Sequence, residues 1–126
     1  MYSHMMVGSN DIERSKNFYD ALFTSIGGRE AIRDPKGRLV YIHNDGAFMV
    51  TPPIDGKEAT AGNGMTIGFA MENPEQADAW HKAGVAAGGT SVEDPPGVRD
   101  NPQMKLYLAY LRDPDGNKLC AIHQMG

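Results

Sequence analysis

The chain has one cysteine and one tryptophan in 126 residues, and fewer basic than acidic side chains. The lone Cys120 excludes an internal disulfide, so the stability of the fold has to come from packing and hydrogen bonding. No apolar run approaches the roughly 18 residues of a membrane-spanning helix, and no membrane partner is expected. Twelve Lys and Arg against sixteen Asp and Glu leave a formal charge of −4 and a pI near 5.5. That balance offers no basic stripe for a phosphate backbone, which argues against nucleic acid. The strand-like Met5-Met6-Val7 begins almost at once, without a preceding basic segment and apolar stretch of the signal-peptide kind, and a cytoplasmic protein is the expectation.

What the chain does contain is a composition 40% hydrophobic, sufficient for one ordinary domain with its own core, and fifteen Gly with eight Pro, which imply many turns. Its most informative run is Arg112-Asp113-Pro114-Asp115-Gly116-Asn117-Lys118-Leu119-Cys120. Pro114 presets φ, Asp113 and Asp115 can bond neighbouring backbone, and Gly116 can take φ > 0, so a tight hairpin is predicted between strands at Leu106 to Arg112 and Lys118 to His123. The two aspartates look like a catalytic carboxylate pair, but turn chemistry accounts for them.

The same plan is written twice. A strand at Met5 to Val7 leads to Asn10, a helix cap with Glu13 in the box position, and then to a stripe of Ile12, Phe18, Tyr19, Leu22, Phe23 and Ile26 ended by Gly27-Gly28. A strand at Met65 to Met71 leads to the cap Asn73, Pro74 and Gln76, then to a shorter stripe of Ala77, Trp80 and Val85 ended by Gly88-Gly89. Both spacings are close to half the chain. Strands at Glu30 to Arg33, Leu39 to His43 and Ala47 to Thr51 follow the first helix. Thr90 to Glu93, Leu106 to Arg112 and Lys118 to His123 follow the second, with Asp94 to Gln103 read as a loop.

A tandem βαβββ duplication with this cap spacing and a DPDGNK hairpin before the last strand resembles the vicinal-oxygen-chelate superfamily. That group includes glyoxalase I, bleomycin-resistance proteins, fosfomycin-resistance enzymes and extradiol dioxygenases. Gly62-Asn63-Gly64, Pro96-Gly97-Val98-Arg99 and Tyr110 to Leu119 are also similar to a bacterial branch labelled glyoxalase-like. The resemblance implies an α+β fold in which two βαβββ modules, 1–52 and 64–126 with a linker 53–63, form a half-open barrel. It also implies a homodimer, and the Gly, Ala and charged residues of the linker give it the composition of a mobile connection that could act as a lid or an arm on the partner.

In that family a divalent metal is held by residues of the first and last strands. The corresponding positions here are His4, Thr66 and Cys120, with a fourth among Met49, Val50 and Thr51, so only His4 keeps a residue of the family's ligand pattern. Catalytic zinc needs about three protein ligands. No cofactor is therefore expected and a divalent metal is disfavoured, and glyoxalase-type isomerisation and ring-opening dioxygenation lack their usual groups.

A cavity remains as the candidate site. By alternation His4, Met6 and Gly8 share one strand face, Thr66, Gly68 and Ala70 the matching one, and Cys120 and Ile122 lie on the last strand. The resemblance places a substrate-contacting tyrosine of the fosfomycin-resistance members at Tyr110, and Arg99 could fork onto a carboxylate or phosphate near the mouth. Each has a plainer alternative: a satisfied strand histidine, a buried thiol, a packing tyrosine, a solvated arginine. The favoured reading is a binding protein for a small organic or anionic molecule using His4, Thr66, Arg99, Tyr110 and Cys120. One alternative is a small-molecule enzyme of lyase, isomerase or oxygenase type, metal-free or with an unrecognised metal, with His4 and Tyr110 catalytic. Another is an interaction protein whose cavity is plugged by Met5, Met6, Met49 and Met65.

Overall fold

In the computed structural model, which describes residues 1–126, helix α1 spans Ile12–Thr24 and helix α2 spans Pro74–Ala86. The α1 cap is Asp11, whose carboxylate accepts the Arg14 N–H, and not Asn10 as the spacing predicted. Asn10 is occupied elsewhere: its side chain accepts the Ala59 N–H at 2.7 Å and donates to the Ala59 carbonyl at 3.1 Å. Glu13 turns away from the cap and pairs with Arg33. At α2 the cap is Asn73, accepting the Gln76 N–H at 2.8 Å, while the Gln76 side chain reaches back to the Glu72 N–H at 2.7 Å. Both helices end the same way. Gly28 N–H returns to the Phe23 carbonyl after Gly27 at φ +84, and Gly89 N–H returns to the Gly84 carbonyl after Gly88 at φ +104.

The first sheet contains β1 (His4–Gly8), β2 (Ile32–Arg33), β3 (Leu39–His43) and β4 (Gly46–Thr51) in the order β1-β4-β3-β2, with β1 parallel to β4. The second contains β5 (Ile67–Ala70), β6 (Thr90–Ser91), β7 (Gly97–Asp100), β8 (Lys105–Arg112) and β9 (Lys118–Gln124) in the order β5-β9-β8-β6, with β7 also paired to β8. Strand β7 corrects the expected loop. Its backbone pairs Val98 with Tyr107 and Arg99 with Leu106, a four-residue run hidden in sequence behind Pro95-Pro96-Gly97. The linker is also tied down: Ala59 is buried and held by Asn10, against Gly8.

Both sheets turn one face to a common core. Phe18, Tyr19, Leu22 and Phe23 of α1, Ala77 and Trp80 of α2, Val7, Tyr41 and Phe48 of the first sheet and Leu111, Leu119 and Ala121 of the second form one buried cluster. The helices cross at Gly84, where an added Cβ would lie 2.3 Å from Leu111 Cδ1 and 3.1 Å from Leu22 Cδ1. The α2 stripe therefore runs through Gly84, and Val85, expected on it, is exposed. Side chains of the other parity, among them His4 and Met6 on β1 and Cys120 and Ile122 on β9, lie on the far side of each sheet from that core.

The β8–β9 hairpin is the main polar tie between the halves. Asp113, almost fully buried, accepts the Tyr19 hydroxyl at 2.6 Å, the Asn117 side-chain amide at 2.8 Å and the backbone N–H groups of Asp115 and Asn117 at 2.9 Å each. Asp115 accepts from Asn10 N–H, Arg14 and Ser15, and Asn117 donates to the Gly8 carbonyl.

Tyr19→Phe removes a buried hydrogen bond to a charged group and should lower unfolding free energy by about 1.5–3 kcal/mol in urea titration. Burial first, then the Asp113 charge, raises the Tyr19 pKa well above that of an ordinary phenol. The stability it contributes is complete below about pH 10 and falls as pH rises from the unfolded towards the folded value, so Tyr19→Phe should also flatten the alkaline loss of stability. Gly84→Ala should destabilise by about 1–3 kcal/mol through overpacking, against a helix-propensity gain of about 1 kcal/mol. A stabilised Gly84→Ala variant would show that the crossing yields easily.

Candidate functional site

On the outer face of the second sheet, β8 and β9 place Tyr110 directly opposite Cys120 and Arg112 opposite Lys118. The Lys118 ammonium lies 5.0 Å from the centre of the Tyr110 ring and pairs with Glu93, just after β6. Ile122 and Leu108 continue the same face as an apolar floor. Burial pushes the Cys120 thiol up, and burial followed by the nearby Cys120 and Glu93 pushes the Tyr110 phenol up. Both hold their protons at neutral pH. The thiol is therefore a poor nucleophile, while phenol and ammonium present donors.

Glu93 has φ +58, the left-handed region. The other non-glycine residues with positive φ are Asn44 and Asp45 in the β3–β4 turn, residue types that accept this conformation readily. Glutamate accepts it less readily, and the Glu93 carboxylate pairs with Lys118. Arg99, on β7, donates to the carbonyls of Asp94 at 3.0 Å and Pro95 at 2.9 Å, so its guanidinium braces its own loop.

Tyr110 and Cys120 come together, with Arg99 on the neighbouring strand β7; Thr66 lies at the edge of the same sheet, two residues before Gly68, which pairs with Cys120, whereas His4 is on the other sheet. His4 is exposed on β1 of the first sheet and bonds Ser3 Oγ at 2.7 Å; Thr66 is exposed just before β5. No three His, Cys, Asp or Glu side chains converge in the chain. One thiol, a threonine hydroxyl and an imidazole on the other sheet do not supply the three-ligand set of the divalent metal that the family resemblance implies, and no step is routed through one. Sequence reasoning missed Glu93 and Lys118 as site residues. Lys118 had a usable signal, since it shares a face with Cys120 two residues on; Glu93 had none, because its backbone strain is invisible in the sequence.

With this geometry in view, the model of the Glyoxalase/Bleomycin resistance protein/Dioxygenase superfamily matches residues 2–121. The chain belongs to that superfamily. A solved glyoxalase/bleomycin resistance protein from Albidiferax ferrireducens T118 is 56% identical over 98% of both chains, with a TM-score of 0.93. A family enzyme from Burkholderia phytofirmans PsJN is 20% identical over 98% of both chains with a TM-score of 0.73, a likeness of fold. Another, a glyoxalase-related enzyme from Fulvimarina pelagi, is also 20% identical, covering 97% of this chain and 86% of that one at a TM-score of 0.71. A comparison with the curated proteins finds no match. The superfamily's α+β fold is thus present in this chain as two helices and two mixed, half-open sheets.

Glu93→Gly relieves left-handed strain and loses a partly exposed ion pair worth about 0–1 kcal/mol. Stability in urea should stay level or rise by up to about 1 kcal/mol. A loss above about 2 kcal/mol would mean that the Lys118 pair is structural.

Proposed function

We propose that this superfamily member binds a small organic or anionic molecule on the outer face of its second sheet, without a divalent metal. The observation that carries the reading is the Lys118, Glu93, Tyr110 and Cys120 group. A cation and a protonated phenol sit beside the apolar Leu108 and Ile122, with the Cys120 thiol turned to the Ala121 carbonyl, an arrangement suited to holding an oxygen-rich head on an apolar wall. The strained Glu93 favours one alternative, a metal-free lyase or isomerase in which that carboxylate, released from Lys118, takes a proton from bound substrate.

The site is open on one side, and we propose that a second copy closes it in a homodimer. The outer face of the first sheet exposes Ile32, Ile42 and Met6 at 63%, 58% and 38%, a contiguous apolar surface in the register of β2, β3, β4 and β1. Set over the second sheet of another copy, it would bring His4 towards Tyr110 and Cys120, completing the set of candidate residues.

The test is a thermal-shift screen of small carboxylates, phosphates and polar aromatics, followed by calorimetry. Tyr110→Phe and Lys118→Met should each weaken any hit by about tenfold, the worth of a charge-assisted hydrogen bond. Light scattering should give a dimer that Ile42→Glu converts to monomer with loss of ligand affinity. Binding of one metal ion per chain that depends on His4, or hits insensitive to both site variants, would sink the reading.

A further inference from the structure

We infer that a cavity on the opposite side of the first sheet from the His4 face is a binding site for a small neutral aromatic molecule of the phenol class. It lies between the inner face of the first sheet and β5, has a volume of about 220 Å³, and is walled by Met5, Phe23, Tyr41, Phe48 and Phe69, with His43 at its rim. An apolar cavity of about 150 Å³ suffices for a benzene ring.

The walls fit a ring. Phe23 stacks on Tyr41 at 4.6 Å, and Phe69 meets Phe48 and Phe23 edge-on at 5.4 and 5.8 Å, so the wall is a set of mutually braced rings. The Tyr41 hydroxyl is already bound by Asp20 at 2.8 Å, leaving only its ring to the cavity. Lys, Arg, Asp and Glu are absent from the lining, so a charged head would be desolvated without a counter-charge. A neutral ligand follows.

Its polar head has partners. Met71 N–H bonds the Ile122 carbonyl, so by the alternation of a parallel ladder the N–H and C=O of Gly68 and Ala70 point to the unpaired edge of β5, and both residues line the cavity. His43 adds an imidazole. His4, His81 and His123 each engage an oxygen of the protein, whereas His43 makes no side-chain hydrogen bond; its Nδ1 lies against Gly28, which leaves Nε2 for a ligand. A hydroxyl, both donor and acceptor, suits this rim better than a purely accepting or purely donating group.

The experiment titrates the full chain with p-cresol and with toluene while following backbone amide NMR shifts. Saturable shifts should map to residues 43–48 and 67–70, with p-cresol bound about fivefold more tightly, as one neutral hydrogen bond allows. His43→Leu should bring the two ligands within about twofold, and Phe69→Trp, which fills the space, should abolish both. If Phe69→Trp does not fold, the His43→Leu comparison decides. Shifts that map instead to Tyr110 and Cys120, equal affinity of the two ligands in the unaltered protein, or no saturation at all would each overturn the site.

Discussion

The buried Asp113 carboxylate is the constraint on which the rest of the architecture depends. A charge removed from water is tolerated only when its oxygens are filled, and four donors fill them: the Tyr19 hydroxyl, the Asn117 amide and two backbone N–H groups of its own turn. Three of those donors shape the hairpin. The fourth comes from α1, in the other half of the chain, so the geometry of the turn and the docking of the halves are satisfied by the same group. Asp115 and Asn117 repeat the logic at Arg14 and Gly8. Because β8 and β9 carry Tyr110, Lys118 and Cys120, the register of the candidate site is inherited from this anchor.

That anchor was half legible in the sequence. The turn could be read from Pro114 and Gly116, since φ preferences are local, and the pair of helices from their caps and stripes. The link from Asp113 to Tyr19 spans 94 positions and leaves no periodic trace. The misreadings have the same root. Asn10 and Asp11 are equally good caps by residue type, and the choice falls to Asp11 because Ala59, far along the chain, claims Asn10. Val85 suits an apolar stripe by chemistry, but the helix crossing needs the small Gly84 at the contact.

For the candidate site, strand alternation grouped Cys120 with Ile122, because period two is a property of any strand, while Tyr110 was singled out by resemblance alone and only the β8–β9 register sets it opposite Cys120. Alternation could not tell whether His4 shares their cavity. Both sheets give their inner faces to one core, so the two outer faces that family resemblance would join belong to different sheets of the chain. In the proposed dimer the two walls would be brought together by a second copy, which would tie any ligand role of His4 to assembly and leave the Tyr110 side able to act within one chain.

The thiol at position 120 makes physical sense in that setting. A carboxylate there would face the Tyr110 ring and the apolar Ile122 and Leu108, and without a metal its desolvation would be compensated only by Lys118, which Glu93 already holds. Cysteine keeps the volume small and the charge at zero, and burial keeps it protonated. The one negative charge of the cluster then sits at Glu93, at the rim where water can reach it, held by a strained backbone instead of by a metal. Near the start of β9 the buried position 120 is thus neutral, and the charges of the cluster, Lys118 and Glu93, pair at its edge.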